Sequence, residues 1–251
     1  MISLRGKRAL VTGGSRGIGA ATAILLAECG ADVGIGYKSR GDDAAHTARQ
    51  VAERGVRSFA QASDIATRQG ADALLDRAVR EFGGIDIFVA NAGIWPAPDV
   101  PVADMDDERW STTMRENVDA MFFTTRAAAR ALGDGGRIVL VSSTAGQRGE
   151  AFHADYAASK GAMISFTKSL AVELAPRGIT VNAVAPGWVD TEMAAGSMAS
   201  GGRERIAASI PIGRVASARD IAGPIAFLCS DLARHVTGEI LNVNGGSVLC
   251  G

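Results

Sequence analysis

A tyrosine and a lysine with helical spacing lie in the segment DYAASK, residues 155–160. Tyr156 and Lys160 are four positions apart, so on a helix both side chains reach the same small volume. A phenol has an ordinary pKa near 10, and a neighbouring ammonium group lowers that pKa because it stabilises the phenolate. The pair could therefore exchange a proton with a carbonyl or alcohol oxygen, although the same spacing also arises by chance.

Ser143 is predicted to end a buried strand, RIVLVSS, over residues 137–143. Open α/β sheets place their sites at the carboxyl ends of their strands. This position strengthens the interpretation of Tyr156 and Lys160 as reactive groups.

A glycine-rich turn joins the first predicted strand to the first predicted helix. In VTGGSRGIG, Gly13, Gly17 and Gly19 permit a tight turn and close backbone approach. The helix N-terminus would then face the pyrophosphate of a dinucleotide. The spacing is G-x-x-x-G-x-G, and a plain turn is the alternative.

The end of the second predicted strand indicates which dinucleotide would bind. A fold that prefers NAD usually carries an Asp or Glu there, but here Tyr37 is followed by Lys38, Ser39 and Arg40. These cations and Arg16 in the glycine turn would attract a 2′-phosphate. NADP(H) is therefore preferred and NAD(H) remains possible; the alternative is that the cations merely begin a solvated loop.

Short β-branched runs alternate with helix-length segments along the chain. This alternation predicts one α/β domain over residues 1–251, with a parallel sheet covered by helices on both faces. Strands are predicted at 8–12, 31–37, 56–60, 85–91, 137–143, 179–185 and 239–243, and helices at 17–29, 41–54, 67–82, 106–132, 155–175 and 217–230. The stretch 190–211 lacks a sustained apolar period and is predicted to be a mobile excursion over the cleft.

The composition favours a cytoplasmic, metal-independent protein. Hydrophobic residues make up 47% of the 251 positions, and the net charge of −1 gives no general field for nucleic acid or anionic membrane. No apolar run approaches the roughly 18 residues of a membrane span. Cys29, Cys229 and Cys250 are scattered, and the histidines show no metal-ligand spacing.

These motifs, taken in order, identify a family. The chain resembles the short-chain dehydrogenase/reductases over essentially its whole length, through TGGSRGIG, Asp64 in SDI, NAG at 91–93, Asn117, Ser143, YAASK, and PGWVDT at 186–191. The resemblance implies a Rossmann-type doubly wound parallel sheet of about seven strands in a single domain.

The resemblance also implies catalytic roles. Tyr156 would be the acid–base group, and Ser143 would hydrogen-bond the substrate oxygen; Ser142 is the adjacent alternative, but it points to the opposite face of a strand. Lys160 would also bind the nicotinamide ribose, and Asn117 would hold a water that connects Lys160 to solvent. Taken alone, Asn117 would be a surface residue of a long helix.

The implied cofactor site draws on several loops. Asp64 and Ile65 would flank the adenine, although Asp64 could simply cap the helix beginning near Thr67. Asn91, Ala92 and Gly93 would lie beside the ribose, although Asn91 could only tie neighbouring strands together. The remaining implied contacts are Ser15 and Ile18 in the glycine turn and, around the nicotinamide, Pro186, Gly187, Val189 and Thr191.

The substrate is less defined than the chemistry. The cleft is predicted to be lined by Trp95, Gln147, Glu150, His153, Trp188, Met193 and Met198. Glu150 and His153 suggest a substrate with hydroxyl groups, although His153 could be an ordinary helix-entry residue.

Within the family, the chain most resembles 3-oxoacyl-carrier-protein reductases. Arg177 would suit docking of an acidic acyl carrier protein, whereas Asp134 has the wrong charge at a second docking position. A free sugar, polyol, steroid or xenobiotic ketone therefore competes with a carrier-bound substrate.

A stripe of small residues marks the helix predicted at 155–175, formed by Ala158, Gly161, Ala162, Ser165 and Ser169. Family members commonly pair this helix and the one before it across a two-fold axis, so a homotetramer or homodimer is expected. Close packing against the sheet in a monomer is the alternative.

The leading functional hypothesis is an NADPH-dependent carbonyl reductase. The alternatives are an NAD(P)-linked sugar or alcohol dehydrogenase working oxidatively, and a non-catalytic dinucleotide sensor on the same fold.

Overall fold

A parallel sheet with helices on both faces organises the protein. The computed structural model describes residues 2–249, and within them the elements follow in the order β1 (Arg8–Thr12), α1 (Gly17–Glu28), β2 (Asp32–Tyr37), α2 (Gly41–Ala52), β3 (Ser58–Ala62), α3 (Arg68–Phe82), β4 (Ile85–Ala90), α4 (Asp107–Met114), α5 (Ala120–Ala131), β5 (Leu132–Val141), α6 (Thr144–Arg148), α7 (Ala154–Leu174), β6 (Thr180–Pro186), β7 (Val189–Asp190), α8 (Ala195–Met198), α9 (Gly202–Ser209), β8 (Ala216–Ser217), α10 (Ala218–Leu228) and β9 (Ile240–Val243).

The strand order creates the crevice in which the site lies. Within the described residues the main sheet has seven parallel strands in the order β3-β2-β1-β4-β5-β6-β9. The chain builds outward from β1 in one direction and then returns to β4 on its other side. Ligands of open α/β sheets bind at such a switch point, outside the carboxyl ends of the strands. The predicted Rossmann-type fold is confirmed.

The sheet is buried on both faces because its strands are apolar at nearly every position. Val11 packs with Ile35 and Val89 on one face. Leu10, its neighbour in β1, packs with Phe88 on the other face. Alternation along β1 thus places consecutive residues in two separate cores.

Three predicted elements differ from the structure. The helix predicted at 106–132 is interrupted by a π-helix, Arg115–Asp119, which separates α4 from α5. Strand β5 begins earlier than predicted and ends at Val141, so Ser143 is the N-cap of α6 and accepts a hydrogen bond from the Ala145 N–H at 3.1 Å. The excursion at 190–211 contains β7, α8 and α9, and β7 pairs with β8.

Two sequence expectations concern compartment and metals. No helix within residues 2–249 is long and apolar enough to cross a membrane, and no group of three potential metal ligands occurs there. Cys29 is half-buried and Cys229 is buried, both as free thiols, whereas Cys250 lies outside the described residues. The cytoplasmic location stays a prediction.

Candidate active site

A cleft of about 580 Å³ runs along the carboxyl ends of the strands. It gathers most of the predicted residues into one site, although they are spread over 180 positions of the chain. The predicted cofactor and catalytic residues in its lining are Gly13, Ser15, Arg16, Gly17, Ile18, Tyr37, Lys38, Ser39, Arg40, Asp64, Ile65, Asn91, Ala92, Gly93, Ser143, Tyr156, Lys160, Pro186, Gly187, Val189 and Thr191. Gly19 and Asn117 lie behind this lining.

The glycine turn has the shape of a dinucleotide cradle. Gly13 and Gly17 have φ values of +65° and +56°, which favour glycine. A Cβ on Gly19 would lie 2.2 Å from the Gly13 carbonyl oxygen, so a side chain cannot fit there. Helix α1 begins at Gly17 with its N-terminus at the cleft, as pyrophosphate binding requires.

Asn91 stabilises this turn from the neighbouring strand. Its amide nitrogen donates hydrogen bonds to the carbonyl oxygens of Thr12 and Gly13, at 3.0 and 3.2 Å. The side chain thus ties β4 to the glycine turn, as one alternative proposed, and contact with a ribose stays a prediction.

The cations of the glycine turn and of the segment after β2 are each paired with a carboxylate. Arg16 and Arg40 both contact Glu192, Arg40 at 3.2 Å, and the Lys38 ammonium donates to Glu116 at 2.6 Å. Both glutamates line the cleft, and sequence reasoning did not select them. The signal that could have found them is their position in the sequence, since Glu192 directly follows Thr191 and Glu116 directly precedes Asn117.

Asp64 lines the cleft and does not cap a helix, and its contact with an adenine stays a prediction. Thr67 is the N-cap of α3 and accepts a hydrogen bond from the Gly70 N–H at 3.1 Å, so the alternative role of Asp64 as the cap is wrong. Asp64 forms ion pairs with Arg115 and, at 3.6 Å, with Lys38.

The Tyr156 side chain is a buried phenol. Burial raises its pKa to about 12, against the opposing effect of a side-chain hydrogen bond with Ser143. Lys160 directs its ammonium to the Val141 carbonyl oxygen, at 2.9 Å, and lies 5.6 Å from the centre of the tyrosine ring. The predicted lowering of the Tyr156 pKa is therefore wrong here, because burial of the phenol and the nearby Glu150 carboxylate both raise this pKa, and Lys160 is not among the groups that lower it.

Lys160 is itself strongly affected by its surroundings. Only 5% of the residue is exposed, and desolvation lowers its pKa to about 8. An amine with this pKa retains most of its charge at pH 7 and loses it within the ordinary working range of enzymes.

Asn117 is fully buried in the π-helix, so its interpretation as an exposed helix residue is wrong. Its side-chain oxygen accepts from the Ile94 N–H at 2.7 Å, and its amide donates to Ser159 Oγ at 3.0 Å. Ser159 in turn donates to the Tyr156 carbonyl at 2.7 Å. Asn117 therefore connects the loop after β4 to α7; π-helical turns frequently occur at functional sites.

Four of the seven predicted substrate residues line the cleft, namely Trp95, Glu150, Trp188 and Met193. The other three are directed elsewhere. Gln147 donates to Asn242 at 2.7 Å, and His153 is buried behind Trp95. Met198 ends α8, away from the lining. The sequence positions of Gln147, His153 and Met198 suggested that they line the cleft, but the directions of their side chains in the fold place them outside the lining.

Comparison with known proteins now assigns the family. The family model described as Enoyl-(Acyl carrier protein) reductase matches residues 13–247. The 3-oxoacyl-[acyl-carrier-protein] reductase FabG of Vibrio cholerae is 42% identical over 249 residues, covering 98% of each chain. The chain belongs to the short-chain dehydrogenase/reductase family. The resemblance inferred from its motifs is confirmed.

Other short-chain dehydrogenase/reductases extend the comparison. A cis-4-hydroxycyclohexanecarboxylate dehydrogenase of Sinomonas cyclohexanicum is 42% identical over 240 residues, 95% of each chain. The crystal structure of a Burkholderia cenocepacia J2315 short-chain dehydrogenase in complex with NADP is 40% identical, with a TM-score of 0.91 over 97% of this chain and 98% of that one. A blue fluorescent protein from a metagenomic library, in complex with NADPH, is 38% identical, with a TM-score of 0.91 over 98% of this chain and 100% of that one.

The two positions considered for carrier docking contact each other in this short-chain dehydrogenase/reductase. Arg177 donates to Asp134 at 3.3 Å and to the Ala129 carbonyl at 2.7 Å. It also donates to the Leu132 carbonyl. The guanidinium is therefore engaged within its own chain and partly neutralised.

Proposed function

We propose that this short-chain dehydrogenase/reductase is an NADPH-dependent carbonyl reductase that converts a ketone to a secondary alcohol. The observation that carries this proposal is the meeting of Tyr156, Ser143 and Lys160 in the lining of one cleft at the carboxyl ends of the strands. A phenol with a pKa of about 12 holds its proton at neutral pH, so the side chain is in the form needed to act as an acid.

The residues of the cleft fit NADP(H). The side-chain-free cradle at Gly13 and Gly19 leaves space for a pyrophosphate against the start of α1. Arg16, Lys38 and Arg40 present cations where a 2′-phosphate would lie, and they bind it by exchanging their present carboxylate partners. The NADP and NADPH complexes of the similar structures support the same cofactor.

The mechanism assigns one step to each hydroxyl group. Ser143 donates a hydrogen bond to the substrate carbonyl oxygen and orients it toward Tyr156. The glycine turn and the cations of the cleft would hold NADPH, which would supply the hydride for the carbonyl carbon and leave as NADP⁺. The Tyr156 O–H bond breaks as its proton passes to the carbonyl oxygen, so the ketone gains one hydride and one proton. Lys160, charged at pH 7, stabilises the phenolate that remains.

A homo-oligomer is part of this proposal. Of the five small residues of the stripe, Gly161 is half-buried, whereas Ala158, Ala162, Ser165 and Ser169 are exposed. Most of the stripe therefore faces away from the sheet. Val172 further along α7 is 78% exposed. An apolar, closely approachable helix face of this kind supports pairing with a second copy of the chain.

The test combines a substrate panel with one substitution. Purified protein is expected to oxidise NADPH, in preference to NADH, in the presence of ketones. Tyr156→Phe is expected to lower kcat by about 10²- to 10⁴-fold because the acid is lost, while NADPH still binds in a fluorescence titration. Lys168→Met, an exposed position on α7, provides the control with unchanged turnover.

Two outcomes would contradict this function. Wild-type turnover by Tyr156→Phe would refute the proposed acid. NADPH binding without turnover across ketones, alcohols, sugars and acetoacetyl thioesters would instead indicate a non-catalytic sensor.

A further inference from the structure

Two tryptophans meet across the cleft beside Tyr156. Trp95 follows β4 and Trp188 follows β6, the strands on either side of β5. Their ring centroids are 6.4 Å apart with an edge contact, and the Trp95 ring contacts the Tyr156 ring edge-on at 4.6 Å. Trp95 therefore lies beside the proposed proton donor, and both indoles line the cleft together with Ser143.

The imidazole of His153 supports Trp95 from behind. The centroids of the two rings are 4.0 Å apart, and His153 is only 4% exposed. Its Nδ1 lies 3.1 Å from Arg109 and its Nε2 lies 3.0 Å from Asp99. Since a guanidinium can only donate, Nδ1 is the acceptor and Nε2 carries the proton that Asp99 accepts. These partners fix the tautomer and the orientation of the ring.

Arg109 fastens the loop that carries Trp95 to the start of α7. Its Nε donates to Asp155 at 3.2 Å and another of its nitrogens donates to the Pro98 carbonyl at 2.6 Å. Asp155 is fully buried and also accepts from the Thr113 hydroxyl at 2.8 Å. Although burial alone would raise the pKa of Asp155, these hydrogen bonds lower it below its usual range, so the pair is ionic.

The backbone next to His153 is strained and held by the same contacts. Phe152 has a φ of +65°, an unfavourable value for a residue with a side chain. Its carbonyl accepts hydrogen bonds from the Val100 N–H at 3.1 Å and from Arg109 at 3.4 Å. A strained backbone conformation of this kind persists only where surrounding contacts hold it in place, and such positions often lie beside a functional site.

We propose that Trp95 is the specificity-determining residue of this cleft, that His153 and Arg109 position it, and that the substrate is a compact cyclic or aryl ketone. The inference rests on the proposed reductase function and names its substrate class. Indole rings offer broad apolar surface against which a flat ring packs well. We expect the edge contact between Trp95 and Trp188 to favour a compact ring over an extended acyl chain on a carrier.

The experiment compares two carbonyl classes in one assay. NADPH oxidation is measured with 1-tetralone and cyclohexanone, and with acetoacetyl-N-acetylcysteamine as the linear thioester. The wild type is expected to favour the cyclic ketones in kcat/KM. Trp95→Ala is expected to lower kcat/KM for the cyclic ketones at least about tenfold. The loss is expected mainly in KM, because the indole contacts the ring rather than the reacting atoms, while thioester turnover is retained or increased.

Matched variants separate selectivity from loss of folding. Trp95→Leu keeps an apolar side chain and is expected to give an intermediate selectivity ratio. Trp110→Ala removes an indole that is 44% exposed on α4 and is expected to leave the ratio unchanged.

The positioning role of His153 has its own readout. His153→Ala removes the ring behind Trp95 and is expected to reduce the selectivity ratio about as much as Trp95→Ala. His153→Phe restores a ring and is expected to recover much of that ratio. A merely structural residue would lower turnover of both substrate classes together.

The assay distinguishes a failure of the proposed reductase function from a failure of the proposed role of Trp95. If the wild type oxidises NADPH with neither class of carbonyl, the reductase function fails, and the inference fails with it. If the wild type prefers the linear thioester, or if Trp95→Ala and Trp95→Leu both keep the wild-type ratio, the inference is overturned while the reductase function stands.

Discussion

Replacing Lys160 by Met is expected to stabilise the protein at neutral pH while removing its activity. The buried ammonium has its pKa lowered from 10.5 to about 8, so its charge in the folded state costs about 3 kcal/mol at pH 7. Met has a similar unbranched shape but leaves the Val141 carbonyl without its 2.9 Å donor, which costs about 1 kcal/mol. The net expected gain in the free energy of unfolding is about 2 kcal/mol.

The pH dependence of this gain identifies its cause. The folded pKa of Lys160 lies below the unfolded value, so between pH 8 and pH 10.5 the unfolded chain holds more protons and the wild type becomes more stable as pH rises. The difference between variant and wild type should therefore shrink across this window and reverse by about 0.5 kcal/mol near pH 10.5, where the unfolded lysine is half protonated. Effects of other titrating groups, Tyr156 included, cancel in the difference when they are unchanged.

Urea unfolding of both proteins at a series of pH values between 7 and 10.5 measures this difference. Lys168→Met is the control, because it makes the same substitution at an exposed position of α7 and should change the free energy of unfolding by less than about 0.5 kcal/mol. A Lys160→Met variant that is less stable than the wild type at pH 7 would refute the reasoning. A gain that does not depend on pH would also refute it.

Three further outcomes follow from the cleft and the surface. Glu192→Gln releases Arg16 and Arg40 from their carboxylate partner. Because an exposed ion pair is worth ~1 kcal/mol, the KM for NADPH is expected to fall about fivefold, whereas the KM for NADH is expected to stay unchanged. Gly19→Ala places a Cβ 2.2 Å from the Gly13 carbonyl oxygen and is expected to lower the free energy of unfolding by more than about 2 kcal/mol. The same variant is expected to show no NADPH binding in a fluorescence titration. The wild type is expected to sediment at two or four times the mass of one chain. Phe122 on α5 is 37% exposed, and the Phe122→Glu variant is expected to sediment at a lower mass.

Each of these outcomes has a control or a contrary result. Glu204→Gln, an exposed change on α9, should leave both KM values unchanged. Gly133→Ala adds a Cβ that meets no atom within 4 Å beyond its chain neighbours, at an exposed position of β5, so it should change the free energy of unfolding by less than about 0.5 kcal/mol. A Gly19→Ala protein that binds NADPH normally would contradict the close packing of the turn. A single-chain mass for the wild type would exclude the oligomer.

Much of the fold followed from local patterns. Apolar strands alternating with helical segments specify a parallel sheet, because strands buried on both faces read as continuous apolar runs. The interruption at Arg115–Asp119 was missed because a π-helix keeps the composition of an α-helix and differs only in one extra residue per turn. The end of β5 was placed two residues late because Ser143 caps a following helix instead of continuing the strand.

The site was predictable to the extent that backbone position decides it. The glycine turn, Tyr156 and Ser143 lie in the cleft because the strand ends must meet at one edge of the sheet. The partners of long side chains were not predictable in this way. Glu192 pairs with Arg16 across 176 positions of sequence, and His153 turns behind Trp95 instead of into the cleft.

The sequence by itself determined the family, the sheet and the residues that could do chemistry, since these depend on spacing along one strand, turn or helix. Tertiary structure alone decided the protonation of those residues and the shape of the substrate pocket. Burial raises the pKa of Tyr156 and lowers that of Lys160, and the two indoles meet only because β4 and β6 flank β5. Desolvation and contact across strands are properties of three-dimensional packing, so no local pattern contains them.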